Sequence, residues 1–143
     1  MIKAPQGVQE FFLLVARLAI GVVFFAHGWQ KLFSDGMDKT TATVTNFGIP
    51  LPEISAWFTA LVELIGGAAF ILGLLMPLVS ILFAVVTAGA LVFVHAKAGL
   101  FAQAGGYEYV LVLGTAALAV GFSGSRYSVD GMVSGRSKQA VSS

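Results

Sequence analysis

The chain contains no cysteine and little charge: only 10% of its 143 residues are Asp, Glu, Lys or Arg. Without a thiol it can form no disulfide of its own, supply no thiolate nucleophile and ligate no iron–sulfur cluster through cysteine. Any redox chemistry must therefore run through a bound cofactor or a partner. A soluble domain carries about 25% charged residues, and a water-facing surface cannot be built from so few. The formal net charge is +1 and the basic residues form no stripe, which removes nucleic acid as a partner because nothing is there to neutralise a row of phosphates.

Apolar residues make up 57% of the chain, gathered into four long runs separated by polar stretches. A helix rising about 1.5 Å per residue crosses a hydrocarbon core of roughly 30 Å in about 20 residues. The runs therefore predict an all-α integral membrane four-helix bundle with a short cytoplasmic turn and longer exoplasmic loops. Residues 1–10 form a cytoplasmic N-terminus. Residues 11–124 form the membrane domain, with spans near 11–33, 54–75, 77–95 and 107–122, the last being the shortest. Residues 125–143 are a polar cytoplasmic tail, partly disordered, with no apolar periodicity and a mobile end beyond about Gly131. Lys3 ahead of the run from Phe11 has the outline of a signal peptide, but the run continues to Trp29 without a small-residue cleavage site, so it reads as an uncleaved first span.

The stretch from Ser34 to Glu53 reads as a loop, polar at first and closing on Gly48-Ile49-Pro50-Leu51-Pro52, where two prolines fix an extended approach to a helix that begins near Glu53. Met76-Pro77 reads as a very short turn, which sets the second and third spans antiparallel. With four spans, both termini and this turn share one side, holding Lys3, Arg126, Arg136 and Lys138 with Arg17 just inside the membrane. The other side holds Lys31, Lys39 and Lys97, so the positive-inside rule places both termini in the cytoplasm by a narrow margin. A faint internal repeat is visible. Each half is a hairpin whose first helix ends in His then Lys (His27 and Lys31, His95 and Lys97) and whose second carries a glutamate followed by glycine (Glu63, Glu108).

Charged side chains in a membrane span cost about 2.5–3.5 kcal/mol each on insertion scales and need a partner or a purpose. On the first span, Arg17, Gly21, Phe24, Gly28 and Lys31 share one face, with His27 on its edge; on the second, Thr59, Glu63, Gly66, Gly67 and Phe70 do. The glycines permit close approach, so these two stripes are expected to pack together. Glu63 falls between the depths of Arg17 and His27, and either can be its partner. One reading is a buried Glu63–Arg17 ion pair that fixes helix register. The other gives Glu63 a proton-exchanging role beside a ligand.

His27, Lys31, His95 and Glu108 all fall near the exoplasmic ends of their helices. They either snorkel to the interface or line a polar pocket for a small lipophilic ligand with carbonyl oxygens, for which a quinone is the candidate. Trp29 and Trp57 read as interfacial belt residues. Two histidines on different spans also raise bis-histidine haem ligation, but Lys31 one turn from His27 disfavours a ferric centre and nothing else marks a porphyrin slot. No metal-ligand constellation is evident.

Taken in order, Arg17-Leu18-Ala19-Ile20-Gly21, His27-Gly28-Trp29-Gln30-Lys31-Leu32, Phe47-Gly48-Ile49-Pro50 and Glu63-Leu64-Ile65-Gly66-Gly67, then His95, Gly106-Tyr107-Glu108-Tyr109 and Arg126-Tyr127-Ser128-Val129-Asp130, the chain resembles the DoxX family of small bacterial membrane proteins. The likeness runs from Arg17 to Asp130. It implies a four-helix fold in the bacterial cytoplasmic membrane. In some relatives it also implies quinone-linked sulfur oxidation, as the small subunit of a thiosulfate:quinone oxidoreductase, and in others a part in membrane complexes that resist oxidative and thiol stress. It transfers no catalytic residue.

The expected role is an accessory membrane subunit of an oxidoreductase system, without thiols of its own, that offers a quinone site or an anchor to soluble or membrane redox subunits. In that picture His27 and His95 hydrogen-bond ligand carbonyls, Lys31 stabilises negative charge, and Glu63 or Glu108 exchanges protons. A non-catalytic scaffold whose polar residues are all structural is the alternative, and a small-molecule carrier a more distant one. The glycine faces of the second and fourth spans leave room for a homo-oligomer.

Overall fold

A computed structural model describes residues 2–141, and the side chains of all of these except 137–140. Six α-helices follow one another: α1 (Gln6–Trp29), α2 (Met37–Asn46), α3 (Pro52–Leu72), α4 (Met76–Ala90), α5 (Glu108–Ser123) and α6 (Val129–Val141). Among the described residues there is no strand. With their terminal turns, the helical stretches Gln6–Ser34, Pro52–Leu72 and Met76–Ala98 are long and apolar enough to cross a membrane. The 16 apolar residues of α5 rise about 24 Å and complete a four-helix bundle in which α1 packs most broadly on α3, α4 packs on α3 and α5, and α5 returns to α1.

Lipid is as apolar as leucine, so these helices associate by close packing rather than by escape from water. The glycines supply it. A side chain at Gly28 would run into the backbone of Leu64, and one at Gly67 would lie 2.7 Å from Phe25 Cα. The same holds for Gly114 against Thr87 and Gly121 against Ser80 between α4 and α5. The glycine faces of α3 and α5 are thus occupied inside the protomer, so they do not supply the oligomer contacts for which the sequence left room. At the centre, Phe83 of α4 stacks flat on Phe24 of α1 (centroids 3.7 Å, 7° between planes) and meets Phe70 of α3 at an angle. Ile20, Met76, Val79 and Ala117 close around them.

The expected stripes of α1 and α3 do face each other, but about one and a half turns out of the anticipated register. Gly21 lies against Ile71, Phe25 against Gly67 and Gly28 against Leu64, so Arg17 is level with the end of α3 and Glu63 is level with the stretch between His27 and Lys31. The reason lies at the helix ends. α3 stops at Leu72 with Gly73 in the left-handed conformation (φ 73°), whereas α1 starts five residues earlier than Phe11, at Gln6, and runs on past α3 beside the α5–α6 connection. Glu10 holds that connection by accepting hydrogen bonds from Ser125 Oγ (2.9 Å) and the Arg126 amide (3.1 Å).

Other expectations also need correcting. Residues 37–46 are not loop but α2. The segment lacks aliphatic periodicity, yet Thr43 and Thr45 satisfy their hydroxyls on the carbonyls of Lys39 and Thr41 one turn back, and Lys39 pairs with Asp35 at 2.7 Å. Two prolines do not give an extended approach to α3, because Leu51 between them is left-handed (φ 51°). Met76-Pro77 is the first turn of α4 rather than the turn itself, which is Gly73–Leu75. The polar tail is helical over Val129–Val141; its expected mobile end also takes in Ser142 and Ser143, which lie outside the described residues. Ser128 caps this helix, accepting from the Gly131 amide at 2.9 Å.

Asp130, in the first turn of α6, joins the tail to the bundle. Its two carboxylate oxygens accept from the amides of Leu75 (2.9 Å) and Met76 (2.8 Å), groups that the start of α4 would otherwise leave unpaired. Leu75 is itself left-handed (φ 51°), a conformation disfavoured for a branched side chain, so the carboxylate also holds a strained residue in place. Asp130→Ala should lower the stability of the detergent-solubilised protein by about 1.5–3 kcal/mol, the usual worth of charge-assisted hydrogen bonds. Thermal unfolding followed by circular dichroism reads this directly, and an unchanged midpoint would show that the cap contributes nothing.

Candidate functional site

Near the end of the bundle opposite the chain termini, the ammonium of Lys31 on α1 forms an ion pair and hydrogen bond with Oε2 of Glu63 on α3. The expected Glu63–Arg17 pair is absent because the register puts the two residues about 18 Å apart along the bundle. Lysine also projects back toward the N-terminus of its own helix, which directs Lys31 toward the level of Glu63. Glu63 is 6% exposed and Lys31 half-buried. The contact of Gly28 with the Leu64 backbone lies within a turn of both residues, so the glycine that lets the helices touch also sets the reach of the pair.

Two features surround it. The last turn of α1, Gln30–Ser34, widens into a π-turn in which the Asp35 amide bonds Gln30 O at 2.8 Å. Such turns displace the carbonyl ladder and recur at functional sites. Thr40 of α2 donates its hydroxyl to Lys31 O at 3.0 Å, so the short polar helix missed in the sequence lies across the end of the span that carries the pair. α4 also ends in a π-turn, Leu91–His95. The first helix of each half therefore finishes alike, in keeping with the faint repeat, although Glu63 and Glu108 have different surroundings.

His27 sits one turn before Lys31, exposed on α1 and within electrostatic range of Glu63. Its Nδ1 donates to Val23 O at 2.8 Å. In the neutral ring this leaves Nε2 as an acceptor. His95 is arranged the same way, with Nδ1 donating to Gly105 O at 2.7 Å, while Glu108 Oε1 accepts from the Ala102 amide at 2.8 Å. The five candidates thus separate into two sets: Lys31, Glu63 and His27 form a cluster, whereas His95 and Glu108 fold the α4–α5 loop onto itself. Among the described residues no hydrogen bond or ion pair joins the sets. Beside the cluster, Phe25, Trp29 and Phe33 stack along the outer face of α1, with centroids 6.2 and 4.5 Å apart.

Comparison with known proteins bears on the same residues. The DoxX family model matches residues 12–96, which take in most of α1, all of α2, α3 and α4, and the whole cluster. The chain belongs to the DoxX family. A DoxX relative, the Bacillus subtilis (strain 168) protein named "Putative oxidoreductase CatD", is 37% identical over 119 residues, covering 82% of this chain and 83% of its own length. No solved structure matches. DoxX membership and the apolar helices make this a multi-pass membrane protein in contact with the lipid bilayer.

At the termini end, sequence reasoning gives no role to Glu10 or Ser125, and Ser128 and Asp130 enter only as part of the family resemblance. A signal for the last two was present: Ser128 followed by an acid two residues on, ahead of a helix, has the composition of an N-cap and first turn. Nothing in the sequence marks where Asp130 reaches.

Proposed function

We propose that this DoxX protein is a membrane subunit of a quinone-linked oxidoreductase system of the bacterial cytoplasmic membrane, serving quinone chemistry or resistance to oxidative and thiol stress. Both termini face the cytoplasm, and the cluster of Lys31, Glu63 and His27 is its ligand site. The observation that carries this reading is a charged pair with an acceptor histidine one turn away, set in an apolar span at a π-turn. The oxidoreductase name of the Bacillus subtilis relative supports the reaction class.

These residues suit one end of a quinone head. An ammonium has three donors, and the Lys31 protons not committed to Glu63 can bond a carbonyl oxygen. His27 Nε2, fixed as an acceptor, suits the hydroxyl of the reduced form instead, a change from the carbonyl-binding role expected of it. Glu63 holds the positive charge of Lys31 in the span and offers a carboxylate to which a proton can pass. The bound quinone itself supplies the two-electron chemistry. The partner subunits supply or remove the electrons.

The test is to purify the protein gently from its native membrane and quantify quinone per polypeptide in the wild type, His27→Ala and Glu63→Gln. Near-stoichiometric quinone that falls at least several-fold in both variants supports the site. Background quinone equal in all three would leave the pair as a structural element and make the protein a scaffold.

A further inference from the structure

At the opposite end of the bundle, a cavity of about 330 Å³ opens between α1, α4, α5 and α6, at the lower end of the roughly 300–1,000 Å³ typical of small-molecule sites. Leu13, Met76, Pro77 and Val120 give it an apolar wall, and Arg17 lines it. Arg17 is 4% exposed, and its Nε and one Nη are buried without a hydrogen-bond partner. A buried cation left unpaired is costly. Yet among the described residues nothing in the wall answers it: Asp130, the carboxylate that lines the cavity, accepts from the amides of Leu75 and Met76 and makes no bond to the guanidinium, and Glu10, outside the wall, is turned to the Ser125 hydroxyl and the Arg126 amide. The hydroxyls of Ser123 and Ser128 donate to Val120 O and Ser125 O, and neither oxygen accepts from the unpaired guanidinium nitrogens.

We propose that this cavity binds an oxyanion, with Arg17 as its counter-charge. The chemistry is that of a phosphate group, carried either by the head of an acidic phospholipid, whose chains would lie along the apolar wall, or by a free anion. A planar guanidinium with several donors is the side chain that pairs best with such oxygens. Exposed Lys3, Arg126 and Arg136 at the same end give an anion an attractive approach. The site is separate from the Lys31–Glu63 cluster and does not depend on the function proposed for it.

The experiment is a thermal-shift titration of delipidated protein in neutral detergent with three probes: inorganic phosphate, dihexanoyl phosphatidylglycerol and dihexanoyl phosphatidylcholine. A ligand that binds only the folded state raises the midpoint with its concentration. Stabilisation by phosphate identifies a free-anion site. Stabilisation by the glycerol lipid, without phosphate or the choline lipid acting, identifies a headgroup site. In either case Arg17→Gln should raise the apparent Kd about ten-fold or more, the worth of a charged hydrogen bond. Ser134→Trp, at the exposed rim with Arg17 intact, should weaken binding too, and it decides the matter if Arg17→Gln fails to fold. No shift with either anion overturns the proposal, as does a shift that survives both substitutions or is equal for the choline lipid.

Discussion

Lys31→Met and Glu63→Met should each destabilise the protein by about 3–5 kcal/mol, while the double variant recovers most of that loss. Each single change leaves one charge in a low-dielectric span facing an apolar side chain, and that uncompensated charge, rather than a lost attraction, dominates the penalty. With both replaced by methionine, the space beside Gly28 is filled by flexible apolar groups of similar volume and no charge remains to solvate. Thermal unfolding of the three variants in one detergent forms a double-mutant cycle whose coupling term reads the pair directly. Additive losses would mean that the two residues do not meet. The cycle also divides the roles proposed for the cluster: a double variant that folds as stably as the wild type yet retains no quinone has lost chemistry and not structure.

Gly28→Val should be more disruptive still. The new side chain would collide with the backbone of Leu64 rather than with a movable side chain, so no rotamer change relieves it and α1 must move away from α3. Overpacking typically costs about 1–3 kcal/mol; here the separation also draws Lys31 away from Glu63, and the two losses compound. The comparison is Gly7→Val, where nothing lies within 4 Å and stability should hardly change. If Gly28→Val unfolded at the wild-type midpoint, the close contact of these helices would be wrong.

Much of this architecture is legible in the sequence because lipid imposes strong rules. Long apolar runs can only be helices there, and polar and glycine residues at helical spacing had to face a neighbour. The stripes of α1 and α3 follow from that alone. Register does not. Choosing between Arg17 and Lys31 as partner of Glu63 required knowing that α3 stops at Gly73 while α1 runs on, and that offset is fixed by a left-handed turn and by Glu10 and Asp130, whose contacts span more than 50 residues of sequence. α2 was hidden for a different reason, since threonine-rich helices stabilised by their own backbone lack the apolar period by which helices are found. His27 and His95 were recognised as polar groups near the helix ends, but which ring nitrogen stays available depends on carbonyls that only the folded chain supplies.

The hydrogen bonds of Asp130 have a consequence for how the protein is made. The amide of Met76 is capped by a residue synthesised 54 positions later, which at roughly 5–20 residues per second is an interval of several seconds. During that time the α3–α4 hairpin is already long enough to enter the bilayer, but its turn still relies on water or lipid head groups for those amides. A helix that leaves the ribosome later, α6, therefore acts as a latch on a hairpin inserted before it.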